Sequence, residues 1–376
     1  MIKNHLVCAA AVLIMAAAPS RAAFEDLGAG ARAPGMGNAF VSIADDIYTL
    51  YYNPAGLGLL ERPQLGTSYT SLFPGLKDGS NLSTSFMAYA HPLAEGRKGT
   101  IATAWNSFSL SNLYREDSFI LGYGRRWREV GTGGELYAGA NLKYLRSSFG
   151  SFPEAANAVP TGSFAPGPDS DPLLSGRHTQ TAIDGDVGLL YRLGKNYSLG
   201  LDVMHVNQPN VAFAPGEKDR LPAVVKLGAD YRSLISNLAI EYDTQKAPTG
   251  AQDHTFTAAA ERWFPKLFLG DIGLRGALSL GSRDLKQATA GFSYRTRRFS
   301  ADYAMSLPIG GVATTISSHR VALTFRFGRA TEEEESLEMV LAAMKQLKGG
   351  GRPSLMHEGG GRVFEEYIAQ SRSLEN

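Results

Sequence analysis

The residue types that carry most protein chemistry are present in this chain, but not in spacings that put them to work. Seven histidines are scattered along it, and none stands in a His-x-x-x-His or His-Glu-x-x-His pattern, which would set two imidazoles on one helical face around a metal. His205 and His254 each fall alone in strand-like sequence and read as interfacial residues, not ligands. Asp169-x-Asp171 and Asp184-x-Asp186 pair carboxylates as a calcium loop does, yet the rest of that loop is missing. They read as a solvated loop and an inward-facing strand. Gly28-x-Gly30 follows no predicted strand, so it is no dinucleotide loop, and no Gly-x-Ser-x-Gly elbow occurs. No catalytic residue, metal or cofactor is expected, and the chain does not read as an enzyme.

The remaining chemistry is electrostatic. Lys143, Asp186, Arg192, Asp202, Lys226, Asp230, Glu241, Arg295, Asp302, Arg320 and Arg326 recur on one series of alternating positions. In "RVALTFRF", Val321, Leu323, Phe325 and Phe327 oppose Arg320, Ala322, Thr324 and Arg326. "VKLGADY", "YSLGLDV", "LAIEYD" and "LKQATAGFSYRT" alternate in the same way. A strand sends successive side chains to opposite faces, so each segment has one apolar and one polar side. A basic side chain facing lipid at mid-depth would cost about 2–4 kcal/mol. The polar series is therefore expected to line the interior of a barrel, where charges of both signs pair or border a wet channel.

About fourteen such segments follow Pro63, most of them about ten residues long, long enough to cross a bilayer when tilted. They start near Pro63, Asn81, Lys98, Arg115, Gly134, Thr179, Lys195, Pro222, Ile235, Gln252, Leu267, Leu285, Arg298 and Ser317. Every second connection is short ("LGKN", "RSLIS", "FPK", "TRR"), and the others are longer, as in an outer-membrane barrel with short periplasmic turns. Trp127, Trp263, Phe264, Phe299, Phe325 and Phe327 near strand ends suit interfacial girdles. The competing all-β reading is a soluble sandwich or solenoid; long strands, loop asymmetry and the lack of a fixed repeat argue against it.

Composition sets the compartment. Lys3 followed by "HLVCAAAVLIMAAAP" and the small residues of "SRA" reads as a secretory signal peptide over residues 1–22. Cys8, the one cysteine, falls inside it, so the exported chain is expected to lack disulfides. A net charge of +1 gives no footprint for nucleic acid. The organisation expected is a signal peptide (1–22), an N-terminal hatch (23–62), a barrel (63–328) and a helical periplasmic tail (329–376).

"GARAPGMGNAFVSIADD" followed by "YYNPAGL" (residues 30–57) resembles the FadL/TodX (OMPP1) superfamily of outer-membrane proteins, closest to its PorV/PorQ-like branch. The resemblance implies a closed antiparallel transmembrane β-barrel of fourteen strands with an N-terminal luminal hatch, set in outer-membrane lipid. It maps the family's Asn-Pro-Ala hatch motif onto Asn53, Pro54 and Ala55. Asp45 and Asp46 lie in the same segment, where one of them is expected to cap a short helix beginning near Ile47. Members of the FadL type take up long-chain fatty acids or other hydrophobic molecules. PorV-like relatives serve as partners in type IX secretion. The function expected is a passive conduit for hydrophobic small molecules of the long-chain fatty acid type, gated by Asn53-Pro54-Ala55 and the hatch. The alternative is a non-transporting scaffold for a secretion or cell-envelope partner, and the hatch reads either as a mobile or as a static plug.

Phe325-Arg326-Phe327 resembles the terminal aromatic signal read by the barrel assembly machinery. Beyond it, "TEEEESLEMVLAAMKQLK" reads as an amphipathic helix with a Thr331/Glu334 capping box. Its apolar stripe of Leu337, Val340, Leu341, Met344 and Leu347 must bury against something, either a periplasmic protein partner or the barrel rim.

Overall fold

The structure is a computed structural model, and it describes residues 23–76, 79–131, 133–150, 178–213, 216–247, 250–267, 270–309 and 317–328. The expected signal peptide, the Asp169/Asp171 loop and the helical tail with Leu337, Val340, Leu341, Met344 and Leu347 lie outside them.

Fourteen antiparallel strands follow one another around a closed barrel. They are β1 (Gln64–Leu72), β2 (Leu82–Pro92), β3 (Thr100–Leu110), β4 (Tyr114–Val130), β5 (Gly134–Phe149), β6 (Thr179–Leu193) and β7 (Tyr197–Met204). The second half is β8 (Val224–Arg232), β9 (Ser236–Lys246), β10 (Gln252–Leu267), β11 (Gly270–Gly281), β12 (Lys286–Arg295), β13 (Phe299–Pro308) and β14 (Ser318–Arg326). Each begins within three residues of its expected start. β1 closes on β14 with Gln64 opposite Arg326 and Ser71 opposite His319. Closure gives every strand a partner on both sides, so no strand presents a whole unpaired edge, which lipid could not hydrate.

The alternation explains the burial. On β14, Arg320, Ala322 and Thr324 are buried, whereas Val321 and Phe325 are exposed. Across the outer face Leu121, Leu142, Leu199, Leu238, Leu278 and Val321 stand more than half exposed. An apolar band that water would disfavour is what a hydrocarbon solvent requires.

Three expectations need correction. The β3–β4 connection at the longer-loop end is only residues 111–113, because Ser111 takes a left-handed φ of 48° and closes a tight turn. Phe264-Pro265-Lys266 is no turn. It continues β10 through an irregularity between Phe264 and Leu267, a position that tolerates proline. Trp263 is not a girdle residue either. It is buried on the inner face, with the Arg295 guanidinium 3.9 Å over its ring, while Trp127 is exposed at the same end of the barrel.

Between residues 23 and 62 there is little regular structure: helix α1 (Arg32–Gly35), helix α2 (Thr49–Tyr52) and a 3-10 turn (Pro54–Leu59). Its apolar side chains Met36, Phe40, Ile43, Ile47, Leu50, Tyr52 and Leu57 are among the most buried of the described residues. They cluster with small inward residues of the wall, Ala88, Ala102, Ala259, Ala304 and Ala322. Small wall residues leave the room that the segment's large ones fill.

Candidate functional site: the N-terminal segment and the charged inner wall

The segment meets the wall on all sides. Phe24 N donates to Glu116 of β4 at 2.8 Å, and Val41 N to Glu241 of β9 at 2.8 Å. Asn141 of β5 donates to Leu50 O at 2.8 Å, Thr289 of β12 to Gly35 O at 3.1 Å, and Tyr48 OH to Thr67 O of β1 at 2.9 Å. Arg320 of β14 donates to Leu27 O at 2.5 Å. Partners on strands around the whole ring put the segment inside it.

Its electrostatic centre is Arg32. The guanidinium binds Glu261 of β10 through two parallel bonds, Nε to Oε1 at 2.9 Å and Nη2 to Oε2 at 2.7 Å. Nη1 reaches Asp45 at 2.5 Å and Asp46 at 3.3 Å. The planar fork matches a carboxylate in a way a lysine could not. Asn237 and Arg275 complete the shell of Glu261, at 2.7 and 3.3 Å, and Asp45 also faces Arg232 of β8 at 3.4 Å. Asp46 makes the expected capping contact: its side chain accepts from Tyr48 N and its carbonyl from Thr49 N, both at 3.0 Å, so the turn that leads into α2 begins at Ile47. Asp45 turns to Arg32 instead.

Asn53, Pro54 and Ala55 are fully buried against β5 and β6. Asn53 is extended (φ −163°, ψ 102°), as the residue before proline must be. Its amide donates to Val41 O at 2.7 Å and Leu189 O at 3.1 Å, and its Oδ1 accepts from Ala55 N at 3.0 Å. The motif thus ties two parts of the segment to β6.

Of the inward charges, Lys143 pairs with Asp186 at 2.5 Å, and Lys226 binds Asp26 of the N-terminal segment. Asp302 faces Arg275 at 3.5 Å. Asp202, Asp230, Glu241 and Arg320 are buried, and Arg192, Arg295 and Arg326 are half-buried near the short-turn end. Arg32, Glu261, Arg275 and Asp26 were not singled out from the sequence. Thr257, Ala259, Glu261 and Trp263 share one face of β10, so alternation could have found Glu261. Nothing local marks Arg32 or Asp26 as partners of the wall, since Glu261 and Lys226 lie 229 and 200 residues away. His205 also departs from its expected place. It is buried and faces the lumen, with Nδ1 2.6 Å from Asp184. His254 is on the outer face, bonded to Tyr242 OH at 2.6 Å.

Two carboxyls of the segment respond oppositely to the interior. Burial pushes Asp26 up, but the Lys226 ammonium and hydrogen bonds from Tyr51 and Gly28 outweigh it and hold the group at about 2. For Asp46, burial dominates over Arg32, and Asp45 adds to it, so the group rises to about 6. The Asp26 contribution is full above about pH 4 and is lost as pH falls towards 2. Asp46 does the reverse: its ionisation opposes docking, with no cost below about pH 4 and the full cost, on the order of 3 kcal/mol, above pH 6. Asp46→Asn is therefore expected to raise the unfolding temperature in detergent at pH 8. The gain should shrink to nothing near pH 4; an equal gain at both pH values would contradict this assignment.

Comparison with known proteins identifies the chain. Residues 48–325 match the sequence model described as "Type IX secretion system membrane protein PorP/SprF". The chain belongs to the PorP/SprF family. No curated protein matches the sequence. Among solved structures, the CymD monoaromatic hydrocarbon channel is similar with a TM-score of 0.57 at 12% identity, over 82% of this chain and 100% of that one. The toluene transporter TbuX of Ralstonia pickettii gives 0.54 at 12%, over 81% and 100%. The toluene transporter TodX of P. putida gives 0.53 at 11%, also over 81% and 100%. Identities this low speak for the fold alone. Family and fold together make this a PorP/SprF outer-membrane β-barrel.

Proposed function

We propose that this PorP/SprF protein is a non-transporting outer-membrane scaffold of the type IX secretion machinery, with a lumen plugged by its own N-terminal segment. One observation carries the reading: the interior is packed with paired charges. Arg32–Glu261, Arg275–Asp302, Lys143–Asp186 and Lys226–Asp26 cross the space a hydrophobic cargo would need. The cavity left between Phe24, Tyr51, Glu116, Lys143 and His205 is about 40 Å³, small beside the ~150 Å³ that admits benzene elsewhere. Moving an apolar molecule through this region would break buried ion pairs, each costly to leave half-made.

The conduit reading rests on the FadL-like fold and on Asn53-Pro54-Ala55. It requires the segment to leave its site, with Asp45, Asp46 and Asn53 as the gating contacts. The tail stripe supplies a surface for a periplasmic partner under the scaffold reading.

The deciding experiment compares a deletion strain complemented with the full chain, with a Pro54→Ala chain, or with a chain truncated after Gly328. Secretion of type IX cargo and uptake of a long-chain fatty acid and of toluene are measured in parallel. The scaffold reading expects secretion to be lost on deletion and on truncation, and uptake to stay unchanged throughout. A fall in uptake on deletion, with secretion intact, would establish the conduit instead.

A further inference from the structure

The barrel wall is interrupted in one region. Residues 179–186 of β6 pair with β5, but pairing with β7 starts only at Val187. β7 stops at Met204 because His205 takes a left-handed φ of 56°, a conformation that costs a non-glycine residue and persists only where surroundings enforce it. The chain then lies along the open edge of β6. Val206 N donates to Gly185 O at 2.9 Å, and Asn207 bonds Gly185 N and Ile183 O at 3.1 and 2.7 Å.

Behind this strap, Asp184 and Asp186 stand two residues apart on β6 and so share its inner face. His205 enters between them from the other side: Nδ1 is 2.6 Å from Asp184 Oδ2, and its backbone N is 3.1 Å from Asp186 Oδ1. One donor atom from each of the three residues lies within 4.8 Å of the others, a separation that ligands of one ion can close, since metal–ligand bonds run about 2.0–2.2 Å. The cluster is not electrostatically satisfied. Asp184 Oδ1 has no hydrogen-bond partner, and both oxygens of neighbouring Asp202 lack one, though each residue is only 1% exposed. Lys143 is in direct contact with Asp186 and only faces Asp184 and Asp202 from further away, and Lys226 is engaged by Asp26, so two ammonium groups serve four carboxylates. Uncompensated buried carboxylates are expensive, and a dication would neutralise the excess.

We propose that Asp184, Asp186 and His205 bind one divalent transition-metal ion of the zinc type, which ties the strap after β7 to the open edge of β6. The imidazole favours such a borderline ion over calcium, which takes oxygen ligands. The ion takes the place of the proton now shared by His205 Nδ1 and Asp184 Oδ2. Asp202, beside Asp186, is placed to accept from water on the ion. Neither the scaffold nor the conduit reading is needed for this site.

Zinc titration of the full mature chain in detergent, after chelator treatment, tests it. We expect one ion bound per chain, slower protease cleavage within residues 205–223 when zinc is present, and both effects weakened at least about tenfold in His205→Gln and Asp184→Asn. His254→Asn, on the lipid-facing side, should leave both unchanged. If Asp184→Asn fails to assemble, His205→Gln decides alone, since glutamine still hydrogen-bonds Asp184. No saturable binding to the native chain, or equal affinity in His205→Gln, overturns the proposal. Calcium bound in place of zinc with His205→Gln unaffected overturns it as well.

Discussion

Arg32→Ala should free the N-terminal segment while the barrel stays closed. The substitution strands Glu261, Asp45 and Asp46, which otherwise share one guanidinium at 2.5–3.3 Å. Removing one member of a buried ionic cluster typically costs about 3–5 kcal/mol, because the partners keep their desolvation penalty and lose its compensation. Arg275 remains near Glu261 and limits the loss there, whereas Asp46 has no such second cation. The strand ladders do not involve Arg32, so the wall has no reason to open. Limited proteolysis of the detergent-solubilised protein reads this out: cleavage within residues 23–62 should appear in Arg32→Ala, with the heat-modifiable gel shift of the barrel retained. Arg32→Lys should fall between, since an ammonium keeps the charge but not the two-bond fit to Glu261. Cleavage no faster than in the native chain would mean that apolar packing alone holds the segment.

Gly139→Ala is expected to cost about 3 kcal/mol or more in segment docking. Alanine in a strand is ordinarily better than glycine by roughly 0.5–1 kcal/mol, so the sign is diagnostic. A Cβ at Gly139 would stand 2.3 Å from Pro54 C and O and 2.5 Å from Ala55 N. These are backbone atoms and cannot swing aside as a side-chain end would. The matched control is Gly185→Ala, on the outer face of β6, where the nearest atom would be at 3.4 Å. Gly139→Ala should expose the segment to protease and lower the unfolding temperature; Gly185→Ala should do neither. If both behave alike, Pro54 is not seated on β5 as described.

In both predictions the wall and the segment are separable, and they were unequally legible in the sequence. The wall is written locally. Val321, Leu323 and Phe325 alternate with Arg320, Ala322 and Thr324 whatever their neighbours are, because the side-chain period of a strand is two. Strand number, starting points, the apolar exterior and the inward charges all follow from that period. Alternation assigns a face but names no partner. It places Lys226 indoors without saying that it meets Asp26, two hundred positions earlier.

The resemblance around Asn53-Pro54-Ala55 pointed to a luminal segment, and local rules suggested an aspartate cap there. Asp46 makes that local bond, to Tyr48 N, and tertiary structure brings the Arg32 guanidinium to both acids, which no local rule names. His205 makes the same point. Its sequence neighbourhood is that of a strand on the membrane surface, and a single left-handed residue turns it into the lumen beside Asp184 and Asp186. The sequence alone therefore determined a closed, charge-lined barrel with an apolar exterior. Which charges meet, and what they could hold between them, was decided only when curvature brought distant strands to hydrogen-bonding distance, because electrostatic pairing depends on separation in space and alternation reports only orientation.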